Sequence, residues 1–80
     1  MADRVLDTQG LACPLPILKA TKAIKELAVG GMLEVLATDP GSVPDFEAFC
    51  RSGRHEMVER SEAQGVYRFL IRRGDPARKV

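Results

Sequence analysis

The stretch GLACPLPILKATKAIKELAVGGMLEVLA, residues 10–37, decides the fold, because its hydrophobic period changes partway along. From Pro14 onward, Ile17, Ala20, Ile24, Leu27 and Ala28 share one face at helical spacing, while Lys19, Lys22, Lys25 and Glu26 occupy the other. This predicts an amphipathic helix. Pro14 suits its first turn, where no intrahelical donor is lost, Pro16 still lies in that turn, and Gly30-Gly31 supply the stop. Met32 to Ala37 then alternates, with Leu33, Val35 and Ala37 on one side and Met32, Glu34 and Leu36 on the other, as a largely buried strand does.

Working outward, Arg4-Val5-Leu6-Asp7 is a short apolar run closed by the turn-former Gly10, and reads as the first strand. Downstream, Asp39-Pro40-Gly41 is a turn, and Ser42 is expected to cap a second helix with Asp45 as its capping-box partner. Phe46, Phe49 and Cys50 form the core face of that helix, and Gly53 is expected just past its end. Met57–Ser61 and Val66–Arg73 read as a hairpin through Glu62-Ala63-Gln64-Gly65, with Tyr67, Phe69 and Ile71 on one face and Arg68, Leu70 and Arg72 on the other. The order βαβαββ, four strands with two helices to cover one face, predicts an α/β two-layer sandwich with a right-handed first crossover. Residues 1–80 read as a single domain, with 74–80 a frayed, flexible tail.

Eighty residues suffice for one modest aliphatic core, and 45% hydrophobic with 29% charged residues is an ordinary globular balance. A net charge of +1, from 12 basic and 11 acidic side chains interspersed, supplies no field that would hold nucleic acid. No stretch approaches the ~20 apolar residues of a membrane span, and the start Met1-Ala2-Asp3-Arg4 has no apolar run after a basic region, so a cytoplasmic location is expected. Two cysteines, Cys13 and Cys50, are too few for a disulfide framework, and a reducing compartment fits them better.

Cys13 carries the chemistry. A thiol at a helix N-terminus faces free backbone N–H groups and the positive end of the helix dipole, and both favour thiolate. Pro14 presets the turn and leaves the remaining first-turn donors free to point at sulfur, and Gly10 lets the preceding loop turn tightly so that the sulfur stays accessible. The residues alone equally admit a thiol that is a small hydrophobe buried at a helix end. No second cysteine stands at Cys-x-x-Cys spacing, which argues against a thioredoxin-type dithiol.

Cys-Pro-x-Pro at the start of the first helix, after a short strand and Gly10-Leu11-Ala12, resembles the TusA family, formerly called SirA-like. The resemblance continues through Ala37-Thr38-Asp39, Asp45, Phe49-Cys50 and Tyr67-Arg68-Phe69-Leu70-Ile71-Arg72, and so covers nearly the whole chain. It implies a four-stranded mixed sheet with both helices on one face. It also implies a sulfur carrier, a sulfurtransferase in the loose sense, that holds sulfane sulfur as a Cys13 persulfide. The donor would be a cysteine desulfurase or rhodanese, and an acceptor protein would pass the sulfur toward tRNA 2-thiolation, molybdenum cofactor maturation or sulfur oxidation. At the x position stands apolar Leu15, where some members carry a charge, which bears on partner choice.

Gly10, Pro14, Pro16, Lys19 and Lys22 are the expected partner-binding residues around Cys13. The lysines could guide a partner's acidic rim, with Arg51 and Arg54 nearby and Asp39 on the same rim, although lysines on a solvated helix face are commonplace. Cys50 reads as core, and His55 with two distant cysteines has no zinc spacing. No cofactor, metal, direct nucleic acid or membrane partner is expected, and a carrier that visits two partners in turn is expected to be a monomer. An alternative class is a non-catalytic regulatory or adaptor module in which Cys13 is structural. A redox sensor, the third reading, requires a bridge from Cys13 to Cys50.

Overall fold

Strand β2, Met32–Ala37, organises the sheet, and its alternation is realised residue by residue: Leu33, Val35 and Ala37 are fully buried, while Met32, Glu34 and Leu36 are not. The structure is a computed structural model that describes residues 2–12 and 14–74. Cys13 and residues 75–80 of the expected tail lie outside the described residues.

Around β2 the order is β1 (Arg4–Thr8), α1 (Leu15–Lys25), β2, α2 (Ser42–Gly53), β3 (Glu56–Ala63) and β4 (Val66–Arg72). The strands line up β1-β2-β4-β3. β1 runs parallel to β2, from Arg4 opposite Leu33 to Thr8 opposite Ala37, as a strand-helix-strand connection requires. β4 is antiparallel to both its neighbours, which makes the sheet mixed. Gln64 and Gly65, with φ of 54° and 79°, close the β3–β4 hairpin with the two left-handed residues that match strand twist.

One core holds the layers together. Ala20, Ala23 and Ile24 from α1 and Phe46 and Cys50 from α2 pack against Leu33, Val35, Phe69 and Ile71, so both helices cover the same face of the sheet. Phe46 and Phe69 stack with ring centroids 4.9 Å apart across the helix-sheet boundary. On the other face Arg68 bridges Glu34 at 3.2 Å and Glu59 at 3.0 Å, and Arg72 pairs with Glu56. These cross-strand pairs stand around Leu70, which is itself buried.

β3 runs Glu56–Ala63 where Met57–Ser61 is expected, which shortens the hairpin connection to Gln64-Gly65, and β4 ends at Arg72 rather than Arg73. Three helix ends also differ from expectation, each because of an interaction that periodicity does not register. α1 stops at Lys25, short of Leu27 and Ala28: the Arg73 guanidinium donates to the carbonyls of Lys25 and Leu27 and takes over the helix C-terminus. Ser42 does not cap α2; it is the first helical residue and fully buried, and Gly41 stands at the cap. Asp39 forms that turn instead, its Oδ1 accepting the Gly41 N–H at 3.1 Å. Gly53 ends α2 from within, and Arg54 takes the left-handed position at φ 58°. Glycine is needed at 53 for space, since a Cβ there would meet the His55 ring at 2.5 Å.

Candidate functional site

The end of the sheet where β1 and β2 both finish carries the segment that leads into α1. Leu11 N–H donates to the Thr8 carbonyl at 3.2 Å, closing a turn in which Gly10 has φ 83°. Such a φ strains any residue with a Cβ, and nothing lies within 4 Å of where a Cβ would sit, so glycine serves the dihedral here and not the space. Below the turn Thr8 is fully buried, and its hydroxyl donates to the Leu36 carbonyl at 2.6 Å. Above it Gly10 N–H donates to Thr38 Oγ1 at 2.9 Å.

Pro14 occupies the cap position of α1 and Pro16 its second helical position. Among the described residues no side chain caps this terminus, and no acidic residue stands in the first turn of α1 to offset the positive end of its dipole. Pro14 is exposed, whereas Pro16 is fully buried. From Pro14 an open groove of about 490 Å³ runs between the helices past Ile17, Thr21, Asp45, Ala48 and Phe49. A second hollow shares Thr21, Phe49 and Ser52 and continues to His55 and Arg73.

The outer face of α1 is unusual for what it leaves in water. Leu15 and Leu18 are 46% and 60% exposed, three residues apart, and each is followed four positions later by an exposed lysine, Lys19 and Lys22. Among the described residues Lys19, Lys22 and Lys25 make no ion pair, whereas Arg4, Arg60, Arg68 and Arg72 all do. Arg51 and Arg54 belong to the far end of α2, beside His55, and are not brought to the Gly10 turn. Asp39 follows Thr38 and so shares the rim of that turn, with its carboxylate committed to Gly41.

Cys50 is a free thiol in the core, and burial pushes its pKa up to about 11, which leaves it protonated and inert. Among the described residues no group of His, Cys, Asp and Glu could hold a metal ion, and no helix is long and apolar enough to cross a membrane. Sequence reasoning missed Thr8 and Thr38, which position the turn, and the junction in which His55 Nδ1 accepts the N–H of Gly74. A hydroxyl at each strand end was the available signal for the first two; the junction had none.

The family model for sulfurtransferase TusA matches residues 4–73. The sulfur carrier protein TusA of Allochromatium vinosum is 48% identical over 71 residues, covering 89% of this chain and 93% of the relative. The sulfur carrier protein TusA of Pseudomonas aeruginosa is 42% identical over 71 residues, covering 89% and 90%. The crystal structure of a SirA-like protein from Desulfitobacterium hafniense superposes with a TM-score of 0.79 at 27% identity, covering 90% of this chain and 99% of that one.

Proposed function

The chain belongs to the TusA family of sulfur carriers, and from that premise we propose that Cys13 is the atom-carrying residue, holding sulfane sulfur as a persulfide between two protein partners. The observation that carries this reading is the N-terminus of α1, which among the described residues has no side-chain cap and no acidic residue in its first turn, and which Pro14 heads directly after Cys13 in sequence. A thiol next to such a terminus ionises more readily, and thiolate is the nucleophile of sulfur exchange.

The Cys13 thiolate attacks the outer sulfur of a donor persulfide. A bond from Cys13 Sγ to that sulfur forms, the donor's S–S bond breaks, and the donor leaves as a thiolate, so the sulfane sulfur changes hands without net oxidation. An acceptor thiolate then attacks the same outer sulfur and Cys13 departs as thiolate. Neither step calls on a cofactor or metal. The donor is a cysteine desulfurase or rhodanese, and the acceptor a protein thiol serving tRNA thiolation, molybdenum cofactor maturation or sulfur oxidation.

Leu15, Leu18, Lys19 and Lys22 form the docking face, because the substrate arrives on another protein and an open surface suits it better than a deep pocket. Gly10 and Pro14 shape the approach, and buried Pro16 holds the helix in place. One domain acts as a monomer that visits its partners in turn, in the reducing cytoplasm that suits a chain with two cysteines.

Intact mass after incubation with a cysteine desulfurase and cysteine tests the proposal. Wild type gains one reductant-sensitive sulfur, about 32 Da, and Cys13→Ser gains none. Absence of any gain with several desulfurases and rhodaneses would replace this reading with the adaptor one.

A further inference from the structure

We propose that Thr38 is a positioning residue for sulfur transfer: its hydroxyl fixes the Gly10 turn and, through it, the place and ionisation of Cys13. This inference rests on Cys13 being the carrier and adds a residue that acts on it from another element. The turn over residues 8–11 is otherwise held by its own near neighbours: Leu11 N–H donates to Thr8 O at 3.2 Å, and Gln9 N–H to Asp7 Oδ1 at 3.0 Å. The bond from Gly10 N–H to Thr38 Oγ1, 2.9 Å long, ties the turn to β2 across 28 residues of sequence. The floor beneath is rigid, since Thr8 stands opposite Ala37 in the parallel ladder and its buried hydroxyl is bonded to Leu36 O. The local bonds close the turn upon β1, and Thr38 is the latch that ties it to the end of β2.

Displacement of Gly10 would be passed on toward Cys13, because only Leu11 and Ala12 separate them in sequence and α1 begins at Leu15, its N–H already bonded to Ala12 O at 3.0 Å. Threonine fits the task chemically. Its β-branch restricts χ1, so the hydroxyl is held in place, and an oxygen that accepts one N–H still has its own proton to donate. The bond lies near the surface, where water can replace the lost acceptor, so its removal leaves the fold standing while freeing the turn.

The test compares Thr38→Val, Thr38→Ala and Thr38→Ser with wild type, each confirmed folded by circular dichroism at the assay temperature. Two readouts are taken: the rate of persulfide acceptance from a cysteine desulfurase, and the pH profile of Cys13 alkylation by iodoacetamide. Thr38→Val and Thr38→Ala are expected to accept sulfur about tenfold more slowly, the scale of a modest misplacement of a reacting group. Their alkylation midpoint is expected to move to higher pH, and Thr38→Ser to restore both. Wild-type acceptance rates and an unmoved alkylation midpoint in the folded valine or alanine variant would overturn the proposal. Alkylation reads the thiol whether or not the chain carries sulfur, so failure of wild type to load sulfur would strike the carrier reading alone.

Discussion

His55 Nδ1 accepts the backbone N–H of Gly74 at 2.9 Å, joining the start of β3 to the chain just beyond β4. The same ring lies 5.2 Å from that of Phe49 and packs against Gly53, and the neighbouring Arg73 holds the carbonyls at the end of α1. One imidazole thus sits where both helices and the sheet meet.

The bond requires a neutral Nδ1, and burial together with the nearby Arg73 charge lowers the His55 pKa below its ordinary 6.5. The unfolded chain therefore takes up the proton first as pH falls. Stability from this residue is complete above about pH 6.5 and is lost as pH drops from there through the lower folded value. His55 is the sole histidine, so stability against urea should fall between pH 7 and pH 5.5 in wild type and change less in His55→Gln. Equal slopes in the two proteins would show that the imidazole is not the group responsible.

Cys50 should be silent in the native protein. With its pKa raised to about 11 by burial, it is a neutral thiol at pH 8, whereas Cys13 is the thiol proposed to react. Iodoacetamide is expected to add one label to the folded chain, lost in Cys13→Ser, and two labels in denaturant. Replacing the buried thiol by a hydroxyl, Cys50→Ser, should cost about 1–3 kcal/mol in chemical denaturation, because the hydroxyl is desolvated in an apolar core. Two native labels would contradict the assignment.

The stacked pair Phe46 and Phe69, both fully buried, joins α2 to the middle of the sheet. Phe46→Ala should cost about 3–5 kcal/mol, a large part of what an 80-residue chain possesses. Phe46→Leu should cost under about 1.5 kcal/mol if the core repacks. Guanidinium midpoints of the two variants decide between a packing role and a merely apolar one.

The pattern of β2 was legible to the residue because its two faces differ cleanly in burial, as Leu33-Val35-Ala37 against Met32-Glu34-Leu36 shows. The ends of the helices were less so. Lys25 ends α1 because Arg73 reaches its carbonyl from 48 residues away, and no local rule contains that. The Ser42-to-Asp45 pattern suggested a capping box, but Asp39 had already turned the chain, which put Ser42 inside the helix. At the site, Gly10 and the two prolines announced a tight turn into a helix, whereas Thr38 entered only when folding brought β2 beside β1.

Lys19 and Lys22, exposed and without ion pairs among the described residues, can change sign at little cost to the fold, within about 0.5 kcal/mol for surface positions. They lie one turn beyond Leu15 and Leu18, on the same face that follows Cys13. If a donor's carboxylates meet them, association is steered, and the double variant Lys19→Glu/Lys22→Glu should accept sulfur from a cysteine desulfurase about tenfold more slowly at low salt. The deficit should shrink toward 0.5 M salt, where the screening length falls to a few ångströms. Alkylation of Cys13 by neutral iodoacetamide should be unchanged, which separates docking from thiol chemistry. A deficit that persists at high salt would move the lysines from steering to direct contact, and no deficit at any salt would leave Leu15 and Leu18 as the whole of the docking face.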